Sequence, residues 1–245
     1  MFISVMKFLS ALILVVSTSA QGLVEKKPVI VDVNPARLVR IVGVIDAQIL
    51  TAATRIRTLS SAGKDARKPI YVMLNSPGGE VFPGSIFISS IKQARLAGTP
   101  VICFSAVYAA SMAFNIMMHC SERYILESTR LLFHPVRIQT YEPLTAPMMR
   151  KYAAGMDRLD GKLIKFISDE MRVDISVISE NYYEETFWKG EELSELSPTF
   201  FKIADDIRGV NNLFQYRKGN EADTQETPSL LELKKIIGTT QKGNK

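Results

Sequence analysis

Ser111 stands in "SAVYAASMAFNIMMHC", residues 105–120, an apolar run without Asp, Glu, Lys or Arg. A lone hydroxyl there has two readings. It is a small residue where a helix packs closely, or it is a nucleophile at a strand-to-helix turn. A serine nucleophile needs a base to take its proton and N–H donors for the oxyanion that forms. The chain holds two histidines, His119 and His134. His119 lies eight residues along the predicted helix from Ser111, which turns it about 80° away and lifts it roughly 12 Å, out of reach. His134 ends a predicted strand and precedes Pro135. It is the better candidate base, with a satisfied core histidine as the competing reading. The donors have an obvious source. "NSPGG", 75–79, follows a strand directly, and its two glycines leave backbone N–H groups uncovered by side chains. A second donor is the N–H of Met112, because the first N–H groups of a helix have no partner inside it.

The elements that must position these residues alternate between strand and helix. "LVRIVGVI" (38–45), "IYVML" (70–74), "TPVICFSA" (99–106), "RYIL" (123–126), "RLLFH" (130–134) and "FFKIADDI" (200–207) read as strands. Helices are expected after Asp46 up to Gly63, over 85–98, from Ser111 to Cys120, over about 146–172, over 175–183 and over about 191–196. The segment "NSPGGEVFPG", with two prolines and three glycines, reads as irregular. Such alternation with short links gives an α/β fold: a mainly parallel sheet covered by helices, with right-handed crossovers.

Three separated motifs, "IYVMLNSPGG", "AASMAF" and "LLFHP", in that order and with 23 residues from Ser111 to His134, resemble the proteolytic subunit of the Clp protease (ClpP). The resemblance covers about Leu38 to Ile207. It implies the ClpP/crotonase-like fold of repeated β-β-α/β-α units, serine peptidase activity with no cofactor and no metal, and a homo-oligomer of stacked rings acting on peptides or unfolded protein. It further implies that Ser111 is the nucleophile, His134 the base, and Gly79 and Met112 the oxyanion-hole amides. The long helix at 146–172 corresponds to the region that joins the rings.

The family's third residue is an aspartate in an "I-x-x-D-T-x-R-D" segment. The matching stretch is "ISENYYEETF", which puts Asn181 on that aspartate. An amide can hold the histidine tautomer but supplies no charge. The corresponding change in a chymotrypsin-type enzyme costs about 10⁴ in rate. Either Asn181 orients His134 in a slower enzyme, or a carboxylate such as Asp174 or Glu180 takes over, or catalysis is lost and the assembly kept. Two further departures are the missing glycine before "AAS" and Ala113 after the Ser-Met pair.

The totals limit the remaining readings. At 245 residues and 47% apolar content the chain is long enough for one domain of about 200 residues with tails. Its net charge of +5 is dispersed, so no basic face for nucleic acid stands out. "MFISVMKFLSALILVVSTSA" (1–20) has one charge, Lys7, then an apolar core and small residues before Gln21. It reads as a secretory signal peptide, with a retained N-terminal anchor as the rival. The expected place is therefore exported: periplasmic or extracellular, or anchored and facing the periplasm, with no ATPase partner. The division is leader 1–20, peptidase domain 28–216 and a polar tail 217–245, in which Ser229 and Glu232 form a capping-box pattern. Cys103 and Cys120 lie in apolar surroundings and read as inert buried thiols rather than a disulfide. The competing functions are an inactive ring-forming scaffold and a Ser–Lys peptidase resembling signal-peptide peptidase A, with Lys162 or Lys165 as base. Acyl-CoA chemistry of the crotonase type does not call for the serine–histidine pair.

Overall fold

The computed structural model describes residues 27–214. The leader and the whole polar tail 217–245, with the capping-box pattern at 229–232, lie outside the described residues. In chain order the strands are Ile30–Asp32 (β1), Leu38–Val42 (β2), Ile70–Asn75 (β3), Val101–Ser105 (β4), Tyr108–Ala110 (β5), Glu122–Ile125 (β6), Arg130–Leu132 (β7), Phe187–Lys189 (β8), Lys202–Ile203 (β9) and Asp206–Arg208 (β10). The α-helices are Ile49–Ser60 (α1), Val81–Leu96 (α2), Met112–Met118 (α3), Ala146–Met171 (α4), Ile175–Glu184 (α5) and Gly190–Leu196 (α6).

The continuous apolar runs form a five-stranded parallel sheet in the order β2-β3-β4-β6-β9. A parallel strand returns only through a crossover, and α1 and α2 supply the first two. Strand β3 lies at the middle of the core, with Val72, Met73 and Leu74 fully buried. That is why it shows no polar alternation. Helices α1 and α2 pack on one face through Ala53, Ile56, Phe87 and Ile91, all within the main core. Ile56, Phe87 and Ile91 each contribute about 1.5–3 kcal/mol by leaving water.

A second, three-stranded sheet, β5-β7-β8, pairs β5 with β7 in parallel and β7 with β8 antiparallel. It positions the chemistry, and β5 and β8 were not expected from the sequence. "VYAA" is only two residues past β4, and a break of that size inside one apolar run leaves no polar punctuation to read. The break has a structural cause. Asn75, fully buried, accepts at Oδ1 from the N–H groups of Ala106 and Val107, both at 3.2 Å. These bonds hold the turn that ends β4 and starts β5.

Two expectations are corrected. Helix α2 begins at Val81, inside the stretch expected to be irregular. Pro83 sits in its first turn, where a missing N–H costs no helical bond. Gly84 lets α2 lie against Met112, whose Cγ would be 2.3 Å from any Cβ at that position. Cys103 and Cys120 are not free thiols: they form a disulfide, with Cα atoms 5.9 Å apart. Strand β4 and the end of α3 bring them together, which a separation of 17 positions in the sequence does not reveal. Among the described residues no helix is long and apolar enough to cross a membrane.

Candidate active site

The serine and the histidine come from the same ends of neighbouring strands. Ala110, the last residue of β5, is registered with Leu132, the last of β7. The next residue on each chain leaves the sheet at one edge. The N–H of Ser111 donates to Leu132 O at 2.8 Å, which fixes the serine against the strand that leads to His134. Ser111 itself has φ 55° and ψ −122°. A side-chain-bearing residue seldom adopts a positive φ, and such strain costs about 1–3 kcal/mol where the surroundings impose it. The sharp turn lets α3 start immediately, so the N–H of Met112 lies at a helix N-terminus.

The glycine turn closes over this point. Ser76 extends the main sheet toward β5: its N–H donates to Tyr108 O and its carbonyl accepts from Ala110 N, both at 3.0 Å. Its Oγ accepts from Gly78 N at 3.0 Å. Gly78 has φ +93°, and a Cβ there would lie 2.5 Å from Ser111 Cβ and 2.8 Å from Met112 N. Only a bare backbone fits. Gly79 follows with φ +149° and abuts Ile45, whose carbonyl would be 2.1 Å from an added Cβ. Ile45 N donates to Gly78 O and Glu80 N donates to Ile45 O, each at 2.8 Å. Strand alternation then turns the Gly79 N–H away from Ile45. Gly79, Ser111, Met112 and His134 line one cleft of about 730 Å³.

His134 presents a defined tautomer. Its Nδ1 lies 2.8 Å from Pro135 O. A carbonyl only accepts, so Nδ1 carries the proton and Nε2 the lone pair. The lone pair is the form a general base needs. Nε2 is buried and has no hydrogen-bond partner among the described residues, so the bond to Ser111 Oγ is not made in this conformation. Burial is the main cause that holds the imidazole pKa below its ordinary value. Arg137 adds to this, while Glu185 and Asp160 act in the opposite direction.

Asn181 is placed elsewhere. It is not among the residues lining the cleft. Its Nδ2 donates to Val177 O, one turn back on α5, at 2.8 Å. Pro135 O occupies the place at Nδ1 that the resemblance assigns to the third residue. Asp174 and Glu180 are exposed on α5 and its cap, and Asp174 Oδ1 accepts from Ser176 N. Lys162 is exposed, and Lys165 pairs with Asp169 at 2.9 Å on the outer face of α4. Neither lysine lines the cleft. His119 stacks on Phe166 with ring centroids 4.6 Å apart, away from Ser111, and burial lowers its pKa to about 4.

A model of the Clp protease family matches residues 27–196. The chain belongs to the Clp protease family. A comparison with curated proteins finds no match. The matched span holds every element from β1 to α6, so the Clp protease model takes in the main sheet up to β6, the three-stranded sheet and the whole cleft. In this Clp protease relative the sequence left four contributors unassigned: Asn75 and Ser76, which shape the turn, Pro135, whose carbonyl holds the base, and Asp160 on α4. The "NS" before "PGG" was a legible signal, since buried Asn and Ser at a turn usually hydrogen-bond backbone. Nothing in the sequence pairs Asp160 with residue 136.

Proposed function

We propose that the protein is an exported serine peptidase that cleaves peptide bonds through an acyl-enzyme. The reading rests on one arrangement above all: an alcohol on a strained turn, a histidine with its Nε2 lone pair free, and two bare amides line the same cleft. In this reading the bond from Ser111 Oγ to Nε2 forms when substrate binds, since bonds of this kind often tighten only with substrate bound. Nε2 takes the hydroxyl proton as Oγ attacks the peptide carbonyl. The N–H groups of Gly79 and Met112 hold the oxyanion. The imidazolium then gives its proton to the departing amine, and the C–N bond breaks. Water repeats the sequence in reverse and frees the acid.

In this reading the tautomer is held by Pro135 O, so Asn181 is not needed to hold it and a Ser–His pair carries the proton. Apolar Phe114, Leu159, Leu163 and Ile167 line the cleft, which favours an apolar substrate side chain. Export is supported by the leader pattern and by the Cys103–Cys120 disulfide, which suits an oxidising compartment. Outside the cytoplasm there is no ATP supply for an unfoldase, so short or unfolded peptides are the proposed substrates. Exposed Met148, Met149 and Tyr152 on α4 support assembly through that helix.

The test is hydrolysis of short fluorogenic peptides by the purified chain beside its Ser111→Ala and His134→Ala variants. Turnover that both substitutions abolish supports the proposal. Turnover that survives His134→Ala refutes the histidine base. No turnover from the folded parent chain favours the ring-forming scaffold.

A further inference from the structure

We propose that Asp160 on α4 is a positioning acid for His134 and the negative charge that offsets the imidazolium. The inference rests on His134 being the base. Asp160 is only 5% exposed, and among the described residues it forms no ion pair. A buried carboxylate without a cation is costly unless hydrogen bonds satisfy it. Here two donors meet one oxygen. Oδ1 accepts from Tyr182 O–H at 2.7 Å and from Val136 N–H at 3.0 Å.

The second bond comes from the histidine's own segment. Val136 follows Pro135, and Pro135 O accepts the proton of His134 Nδ1. Asp160 therefore anchors the residue immediately after the carbonyl that sets the tautomer. Tyr182, from α5, is fully buried and lines the cleft, so α4 and α5 clamp the 134–136 segment from below. The charge then has a use. When His134 takes the serine proton it becomes a cation in a half-buried site, and a fixed carboxylate bonded to the residue two positions along stabilises it. Asp160 favours the protonated imidazole already in the resting enzyme, together with Glu185 and against Arg137. In a relay of this kind the acid's two tasks are divided: a backbone carbonyl takes the Nδ1 proton, and a carboxylate one step removed supplies the field.

Asp160→Asn keeps an oxygen for Val136 and Tyr182 and removes only the charge. Tyr182→Phe keeps the ring and removes the hydroxyl that tempers that charge. With two histidines in the chain, ring-nitrogen NMR follows His134 through a pH titration whether or not the enzyme turns over. Asp160→Asn should move the His134 midpoint to lower pH, Tyr182→Phe should move it to higher pH, and the melting temperature of each should report an intact fold. The labelling rate of Ser111 by a fluorophosphonate should fall roughly tenfold or more in Asp160→Asn, less than when a directly bonded acid is lost. A His134 midpoint that neither substitution moves overturns the role of Asp160. A parent chain whose Ser111 does not label, but whose His134 midpoint still shifts in the two directions, leaves Asp160 supported and the peptidase reading refuted.

Discussion

The N–H of Ser111 donates to Leu132 O at 2.8 Å. This bond joins the turn that carries the alcohol to the strand that delivers His134 two residues later. It also holds Ser111 at φ 55°, a conformation that suits glycine better than serine. Two substitutions that remove the same hydroxyl should therefore differ in stability. Ser111→Ala keeps the strain, whereas Ser111→Gly relieves it. The glycine variant should be the more stable by about 1 kcal/mol, or roughly 2–4 °C in melting temperature for a domain of this size. Equal melting temperatures would show that the turn is unstrained.

Gly78→Ala should damage the site without removing any catalytic group. Its methyl would sit 2.5 Å from Ser111 Cβ and 2.6 Å from Ala110 O, so the glycine turn must lift off the serine. A displacement of about 1 Å costs on the order of 10² in kcat/KM. Steady-state kinetics with a short peptide reads the loss directly. Activity within a factor of two of the parent would mean that the two segments do not need this contact.

The acid limb of the pH–rate profile should report His134. Burial and Arg137 hold its pKa below the ordinary imidazole value of about 6.5, so the base stays neutral and activity persists below that pH. Arg137 pairs with Glu185 at the cleft's edge. Arg137→Gln removes a nearby positive charge and should move the acid limb up. Glu185→Gln removes a negative charge and should move it down. Shifts of the same sign would contradict the assignment.

Stability should fall as the solution is made acidic through the imidazole range. The pKa of His119 is lowered by burial to about 4, whereas in the unfolded chain it titrates near the ordinary value of about 6.5. Above both values neither state binds the proton. Between about 6.5 and about 4 the unfolded chain binds it and the native state does not, so protonation favours unfolding. Below about 4 this contribution levels off. Denaturant melts across pH 7 to 4 should show the decline, and His119→Phe should flatten it.

Loss of the disulfide should destabilise the fold and leave the chemistry in place. Cys103 and Cys120 are 17 positions apart, and closing a loop of that length contributes about 3 kcal/mol. Cys103→Ala/Cys120→Ala should melt earlier by roughly that amount while Ser111 stays reactive. Unchanged melting under reducing conditions would show that the bridge contributes nothing.

Much of this site was legible before any coordinates. Ser111, His134, Gly79 and Met112, singled out by a strand-end histidine, a double glycine and a helix start together with the resemblance to ClpP, line one cleft. The parallel strands of the main sheet follow equally from the apolar runs at 38–45, 70–74 and 99–106. What stayed hidden is long-range. The small sheet depends on Asn75 caging the N–H groups of residues 106 and 107, the disulfide depends on how β4 meets α3, and Asp160 meets Val136 across 24 positions of chain. Asn181 fills the matching position in the sequence, and the hydrogen bond its Nδ2 donates goes to Val177 O of its own helix.

The most direct measurement is intact-protein mass after exposure to a fluorophosphonate at neutral pH, on the purified chain and its single variants. One adduct per chain located on Ser111, lost in Ser111→Ala and slowed at least 10²-fold in His134→Ala, is the predicted result. An unlabelled parent chain of intact fold, or labelling at an undiminished rate without the imidazole, would contradict a histidine-activated serine.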